Sequence, residues 1–501
     1  MKTKFWDNVD KKVFFIGGAI SFAFVAWAAL APKIAEKILG NVLSLFSTNF
    51  GWLYLIVVSS FIVFLIIICC SRYGKIPLGK DDEKPEYSYL SWFFMLFAAG
   101  MGIGLVFWSV AEPMSHYLTP PLIKGGTAQA ASDAMRITFT HWGIHPWACY
   151  AIIGLPLAYF QFRKNRPALI SSCFEPLIGE KRAAGAWGSV INILAVMATV
   201  FGVATSLGMG AMQINSGLTY VFGIPYNNLV TIIIIVITTT LFIISSVSGI
   251  DKGIKILSNT NMILVGLFLV FVFLAGPSLF LLNFFTDSVG NYLANIVTSS
   301  FWTDPFGQAE GWLGSWTIFY WAWWISWAPF VGGFIARISR GRTIREFILG
   351  TLLVPVLLSF IFMSVMGGTA INFDMNGVTN IGDSLGQSTS FALFALLENF
   401  PFATVSSILA IILICVFFIT SADSSTFVCA MMTSRGVQNP DGRLKVFWGI
   451  TQGSVAIVLL VAGGLSALQT ASIVVALPFM FVCILVMFAF VKAIKTDSAI
   501  K

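Results

Sequence analysis

"WTIFYWAWWISWAP" (316–329) sets five tryptophans and a tyrosine within fourteen consecutive residues of an apolar segment. Tyr320, Trp323, Trp324 and Trp327 follow the spacing i, i+3, i+4, i+7 and share one helical face. In a helix over 312–336, positions 323 to 327 lie 11 to 15 residues in. At about 1.5 Å per residue that is close to mid-bilayer. An interfacial belt of aromatics accounts for Trp312 and Trp316 near the edge, but not for indoles at that depth. Helix–helix packing in lipid favours small residues, so it does not account for them either. The stripe therefore reads as the wall of a cavity. Aromatic faces attract cations, and a cage of them is the usual receptor for a quaternary ammonium group. Such a group has no N–H to donate and needs no carboxylate partner. The spans offer few acids, chiefly Glu112 and Asp423.

The rest of the chain fits a membrane setting. It has 501 residues, of which 57% are hydrophobic and only 10% charged, and its mean hydropathy is +0.87. That composition leaves too little charge for a water-facing surface. Apolar segments long enough to cross roughly 30 Å of hydrocarbon recur throughout. Twelve spans are expected near 13–32, 50–70, 90–112, 140–162, 186–219, 229–248, 258–283, 312–336, 346–368, 402–432, 444–463 and 468–491. Of the 29 Lys and Arg residues, 25 fall in the N-terminal tail, the even-numbered loops and the C-terminal tail. Positive charge marks the cytoplasmic side, so both termini are expected there, in a multi-pass protein of the cell membrane. The same rule explains the net charge of +7 without nucleic acid as a partner. The seven cysteines form no CxxC pair and read as packing residues in the apolar spans. A short mixed segment, "SVGNYLANIVTSSFW" (288–302), reads as a helix along the membrane surface.

Three further stretches carry chemistry. "HWGIHPWACY" (141–150) adds Trp142, Trp147 and Tyr150 to the aromatic set. Its His141 and His145 are an i, i+4 pair, but with no third ligand nearby they read as a polar helix end rather than a metal site. "AAGMGIG" (98–104) has glycines at alternating positions within the third span. These suit either close packing or an unwound stretch whose backbone faces a site. "APFVGG" (328–333) is a comparable breaker in the eighth span, five spans later. Paired interruptions of this kind point to a midplane binding site. Last, "FFITSADSST" (417–426) is a hydroxyl run inside the tenth span. Hydroxyls and carbonyls suit Na⁺, a hard cation, and Thr420 and Ser421 facing Ala98 and Met101 would supply them. No acid/base pair facing a cavity points to an enzyme.

"SWTIFYWAWW" (315–324), "GMGIG", "AEP" (111–113), "ISRGRTIREF" (338–347) and "TSADS" (420–424) together resemble the betaine–choline–carnitine transporter family, over essentially the whole chain. The resemblance implies an all-α polytopic fold of twelve transmembrane helices, a five-plus-five inverted repeat like that of the leucine transporter with two extra N-terminal helices. Its divisions would be a tail and peripheral helices (1–89), a first repeat (90–284), an outer interfacial helix (285–311), a second repeat (312–492) and a short cytoplasmic tail (493–501). It implies a homotrimer embedded in lipid that takes up a betaine-type osmoprotectant. By position, the substrate residues would be Trp142, Trp147, Tyr150 and Trp324, with Trp323 and Trp327 along the pathway and Met101, Gly102 and Gly104 from the broken helix. One sodium site would use Ala98, Met101, Phe417, Thr420 and Ser421. A second would use Thr199 and Phe330, but Val203 stands where sodium-coupled members can offer another threonine; Thr205 and Ser206 lie close by.

The resemblance favours a sodium-coupled member, with Na⁺ as the coupling ion and no organic cofactor. Ion-independent carnitine exchangers carry a fixed positive charge near a sodium site, and this chain has no Lys or Arg between 186 and 219. Choline-type members tend to carry Asp where Gly104 stands, so Gly104 favours a zwitterion such as glycine betaine. The alternatives are an ion-independent exchanger and a choline or proton-coupled member. The brief tail after Val491 implies no C-terminal osmosensor.

Overall fold

The computed structural model describes residues 5–248, 251–309 and 311–500, with the side chains of 251–259 and 500 outside that description. Among the described residues it is all-helical, with no strand and one isolated antiparallel bridge between Pro77 and Thr343. The main helices are α1 (Lys11–Leu30), α2 (Pro32–Cys70), α3 (Tyr89–Gly100), α4 (Ile103–Leu118), α5 (Ala128–Trp142), α6 (Ile144–Ala158) and α7 (Ala186–Phe222). They continue as α8 (Asn228–Ser248), α9 (Asp251–Ala275), α10 (Ser278–Phe301), α11 (Phe319–Ile338), α12 (Ile344–Met375), α13 (Ala403–Met432) and α14 (Gly442–Ile494). By length and composition eight of the described helices can cross a membrane, or up to ten if each bent pair is one span.

The breaks are where function enters. α3 and α4 meet at an angle of 69°. Met101 is extended there (φ −122°, ψ 128°) and Gly102 is non-helical (φ −157°, ψ −130°), so the interruption expected at "AAGMGIG" is present. α14 contains its own break at Gly463 and Gly464, the latter at φ 57°, a left-handed conformation that suits glycine. The segments expected at 444–463 and 468–491 flank that point.

Three expectations need correction. α11 is continuous through "APFVGG", despite Pro329. Its glycine serves close packing instead: a Cβ on Gly332 would stand 3.0 Å from both Gly154 N and Tyr150 O, so α11 and α6 approach backbone to backbone. The irregularity of that span lies earlier, in a wide turn at Gly314–Ile318. The helix expected over 140–162 is likewise divided, because Gly143 (φ −89°, ψ −132°) separates α5 from α6. The seventh expected span stops at Ala275. After Gly276 and Pro277, α10 leaves at 110° and begins well before the 288 expected for the surface helix.

The loops assigned to the basic side come together at one end. Asp10 N–H donates to Thr433 O (2.9 Å), joining the N-terminal segment to the end of α13. Arg163 reaches Asp81 (2.6 Å) and Asp497 (2.8 Å), Lys164 reaches Asp497 (3.0 Å), and Arg340 reaches Glu83 (2.5 Å). Burial alone would raise the Asp497 carboxyl. Hydrogen bonds from Arg163, Tyr159, the Ala499 N–H and Lys164 outweigh it and hold the group well below the usual carboxylate range. Lys252 and Lys255, counted for the sixth loop, have side chains outside the described residues, as do Lys2, Lys4 and Lys501.

Candidate functional site

The alternating glycines of the break each admit one neighbour. A Cβ on Gly100 would stand 2.6 Å from Trp147 Cη2, and one on Gly102 would stand 3.1 Å from Ser421 Oγ. A methyl group on Gly104 would overlap the Trp323 ring. Small size therefore lets an aromatic from α6, a hydroxyl from α13 and an aromatic from α11 converge on one unwound stretch. Both readings of "AAGMGIG" hold together: the glycines pack closely, and the helix is open where they do so.

Trp142, Trp147, Tyr150 and Trp324 form one buried group, each at most 1% exposed. Trp324 meets Trp142 edge to face (centroids 5.1 Å apart) and Tyr150 edge to face (6.2 Å), and Tyr150 meets Trp147 likewise (5.6 Å). These edge-to-face contacts join the four rings into one continuous aromatic group. Trp323 stacks on Trp324 at 4.7 Å and backs onto Gly104. Trp327 meets Trp323 edge to face (6.0 Å) and its Nε1–H donates to Gly202 O (2.9 Å) on α7. Trp324 Nε1–H donates to His141 O (3.1 Å), which stitches α11 to the end of α5.

Behind the cage lies an arrangement that spacing along the chain did not disclose. Glu112 of α4, fully buried, accepts from Trp142 Nε1–H (2.6 Å) and from the Tyr320 hydroxyl. His141 Nδ1 lies 2.6 Å from its other oxygen, and His141 Nε2 lies 3.0 Å from Thr317 Oγ1. The pairing of His141 with His145 is not made: His145 stacks on Trp321 (4.6 Å) and meets Ser300 Oγ (2.8 Å). The statement that no third ligand stands near His141 is also overturned, since Glu112 and His116 adjoin it. The signal in the sequence was an acid inside a span, in "AEP", which demands donors of its own.

The hydroxyl run of α13 divides by role. Ser425 and Thr426 donate to Gln452 Oε1 (3.0 and 3.2 Å) and tie α13 to α14. Thr420 Oγ1 donates to Val416 O (2.9 Å), which leaves its lone pairs available as ligands. Ser421 faces the break, beside Phe417. Ala98, Thr420 and Ser421 are all half-buried, next to the buried Met101. For the second site, Thr199 donates to Ala195 O (2.9 Å), and it lies one turn from Gly202, which receives Trp327; Phe330 lies one turn beyond Trp327. The Val203 side chain offers no oxygen, and Thr205 is engaged with Leu468 O (2.7 Å) and Ser472 Oγ (2.9 Å).

The family model described as betaine/carnitine/choline family transporter (BCCT) matches residues 12–499. The chain is a member of the BCCT family. Among BCCT relatives it is 50% identical over 487 residues to the glycine betaine transporter OpuD of Bacillus subtilis, covering 97% of this chain and 94% of that one. It is 49% identical over 496 residues to a probable glycine betaine transporter of Desulfitobacterium hafniense (98% and 99% covered). An ectoine/hydroxyectoine transporter of Virgibacillus pantothenticus is 43% identical over 491 residues (98% and 97%). The chain thus belongs to a family of multi-pass membrane transporters.

Proposed function

We propose that this BCCT member imports glycine betaine, or a close quaternary-ammonium zwitterion, by Na⁺ symport and alternating access. The observation that carries the reading is the convergence of Trp142, Trp147, Tyr150 and Trp324 beside an unwound helix. The trimethylammonium group sits among the four rings, held by cation–π attraction in a desolvated space. Its carboxylate meets backbone N–H groups at the start of α4, the positive end of a half-helix. Ser421 and Thr420, with carbonyls of Ala98, Met101 and Phe417, hold one sodium ion and tie α13 to the break. Thr199 and the Phe330 carbonyl are the candidates for a second.

The architecture proposed with this is twelve spans as a five-plus-five inverted repeat, both termini cytoplasmic, in a cell-membrane homotrimer. The cluster of paired basic residues at one end of the molecule supports the orientation. Each positive charge moved inward gains about 2.3 kcal/mol per 100 mV, and a tenfold sodium gradient adds about 1.4 kcal/mol. Two ions then sustain roughly a 10⁵-fold gradient of a neutral solute, and one ion only several hundredfold. The missing side-chain oxygen at Val203 therefore bears on the power of the pump.

The test is uptake of labelled glycine betaine into proteoliposomes, with and without an inward Na⁺ gradient and with or without preloaded betaine or carnitine. Ectoine and choline serve as competitors. Symport requires accumulation that depends on Na⁺. Uptake that ignores Na⁺ but needs preloaded solute makes the protein an exchanger.

A further inference from the structure

We infer that Glu112, His116 and His141 form a binding site for a divalent cation of the zinc class. Glu112 and His116 lie one turn apart near the end of α4, and His141 comes from the last turn of α5. One ligand atom from each lies within 4.8 Å of the other two, and all three residues are at most 1% exposed. Two imidazoles and a carboxylate, with a fourth position for water, are a usual donor set for zinc.

The geometry is near what such an ion needs. Ligands on bonds of about 2.1 Å in a tetrahedron stand roughly 3.4 Å apart. Glu112 Oε1 lies 3.5 Å from His116 Nε2, which matches that spacing, and 2.6 Å from His141 Nδ1, which would have to open by about 0.8 Å. The orientation is already imposed from outside. Trp142 and Tyr320 occupy Oε2 of Glu112, which aims Oε1 at the two rings. Thr317 Oγ1 holds Nε2 of His141, which aims Nδ1 at the same point. Outer partners of this kind fix the ring and the carboxylate in metal sites.

His116 supplies the independent observation. Neither of its ring nitrogens makes a hydrogen bond with acceptable geometry among the described residues, although the side chain is completely buried. Its nearest polar contact is the 3.5 Å approach of Nε2 to Glu112 Oε1; a buried polar group so weakly satisfied is costly, and a network around Glu112 and His141 alone gives no reason to keep one. His116 rests against Trp316 (4.4 Å) and Trp312 (5.2 Å), which hold its plane. A cation at this point joins α4 to α5 directly beside Trp142.

The test uses the full chain, purified in detergent and freed of metal by a chelator, with Co²⁺ as a spectroscopic probe and Zn²⁺ as competitor. One equivalent of Co²⁺ per chain with visible bands of a four- or five-coordinate site, displaced by Zn²⁺, is expected. His116→Gln should weaken binding by about 100-fold or more, and Thr317→Ala by about tenfold. Metal-free melting temperatures identify any variant that fails to fold, and in that case Thr317→Ala decides. Absent bands, six-coordinate bands only, or an affinity that ignores both substitutions would overturn the site. Binding is read without transport, so a failure here is distinct from a failure of the betaine reading.

Discussion

Replacing Trp324 by leucine removes one wall of the cage and leaves the other three. A fully desolvated ring face contributes about 2 kcal/mol to holding a quaternary ammonium. Trp324 also positions its neighbours, with Trp323 stacked at 4.7 Å and Trp142 edge-on at 5.1 Å. Loss of those pairs, about 0.5–1.5 kcal/mol each beyond area, falls on stability, and it reaches binding only through misplacement of the remaining rings. The loss in binding is then about 1–4 kcal/mol, a rise of one to three tenfold steps in the half-saturation constant for betaine uptake. Trp324→Phe separates two causes. It keeps a ring face but loses the N–H that donates to His141 O, so stability falls by about 1 kcal/mol while affinity falls less than in the leucine variant. The assay is labelled-betaine uptake in proteoliposomes, with melting temperature in detergent measured on the same preparations. An unchanged half-saturation constant in a stably folded Trp324→Leu protein would refute the cage.

Ser421→Ala should raise the Na⁺ concentration needed for half-maximal uptake by tenfold or more, as about 1.4 kcal/mol of ligation is lost; Ser425→Ala, a link to Gln452, should leave it unchanged. Gly332→Val pushes α11 off α6 at backbone contacts of 3.0 Å, and overpacking of about 1–3 kcal/mol should appear as a lower melting temperature. Asp497→Asn weakens the joint to Arg163 and Lys164 and should cost about 2 kcal/mol of stability at neutral pH. Because the folded carboxyl is held low, its contribution is complete above the ordinary carboxylate range and is lost as pH falls through the folded value. The melting-temperature gap between wild type and Asp497→Asn should therefore stay constant from pH 5 to 8 and close only in strong acid.

Hydropathy and the charge alternation made the helical, membrane-spanning class legible, because both follow from the solvent and not from partners. The break at "AAGMGIG" was legible for a related reason: three glycines in seven residues of a span have few other uses. "APFVGG" looked the same and behaves differently, since Gly332 sits against the backbone of α6, a contact that only the fold reveals. Gly143 carries no comparable signal, because "HWGIHPW" continues the aromatic spacing across it. The hydrogen bonds of Glu112 were out of reach altogether. Its partners His141 and Tyr320 lie 29 and 208 positions away, and no periodicity connects them.

The contact between Gly104 and Trp323 bears on how such a transporter can change its diet. An acidic side chain at 104 has no room while Trp323 keeps its place. Gly104→Asp alone should abolish uptake of betaine and choline alike, and recovery of choline uptake should require a smaller residue at 323 in the same chain. Recovery by the single change would show that the indole yields. If it does not yield, the two substitutions are contingent on one another. Natural drift toward cationic substrates must then pass through the 323 change first, and the order of mutations, not only their identity, decides which solutes a lineage can reach.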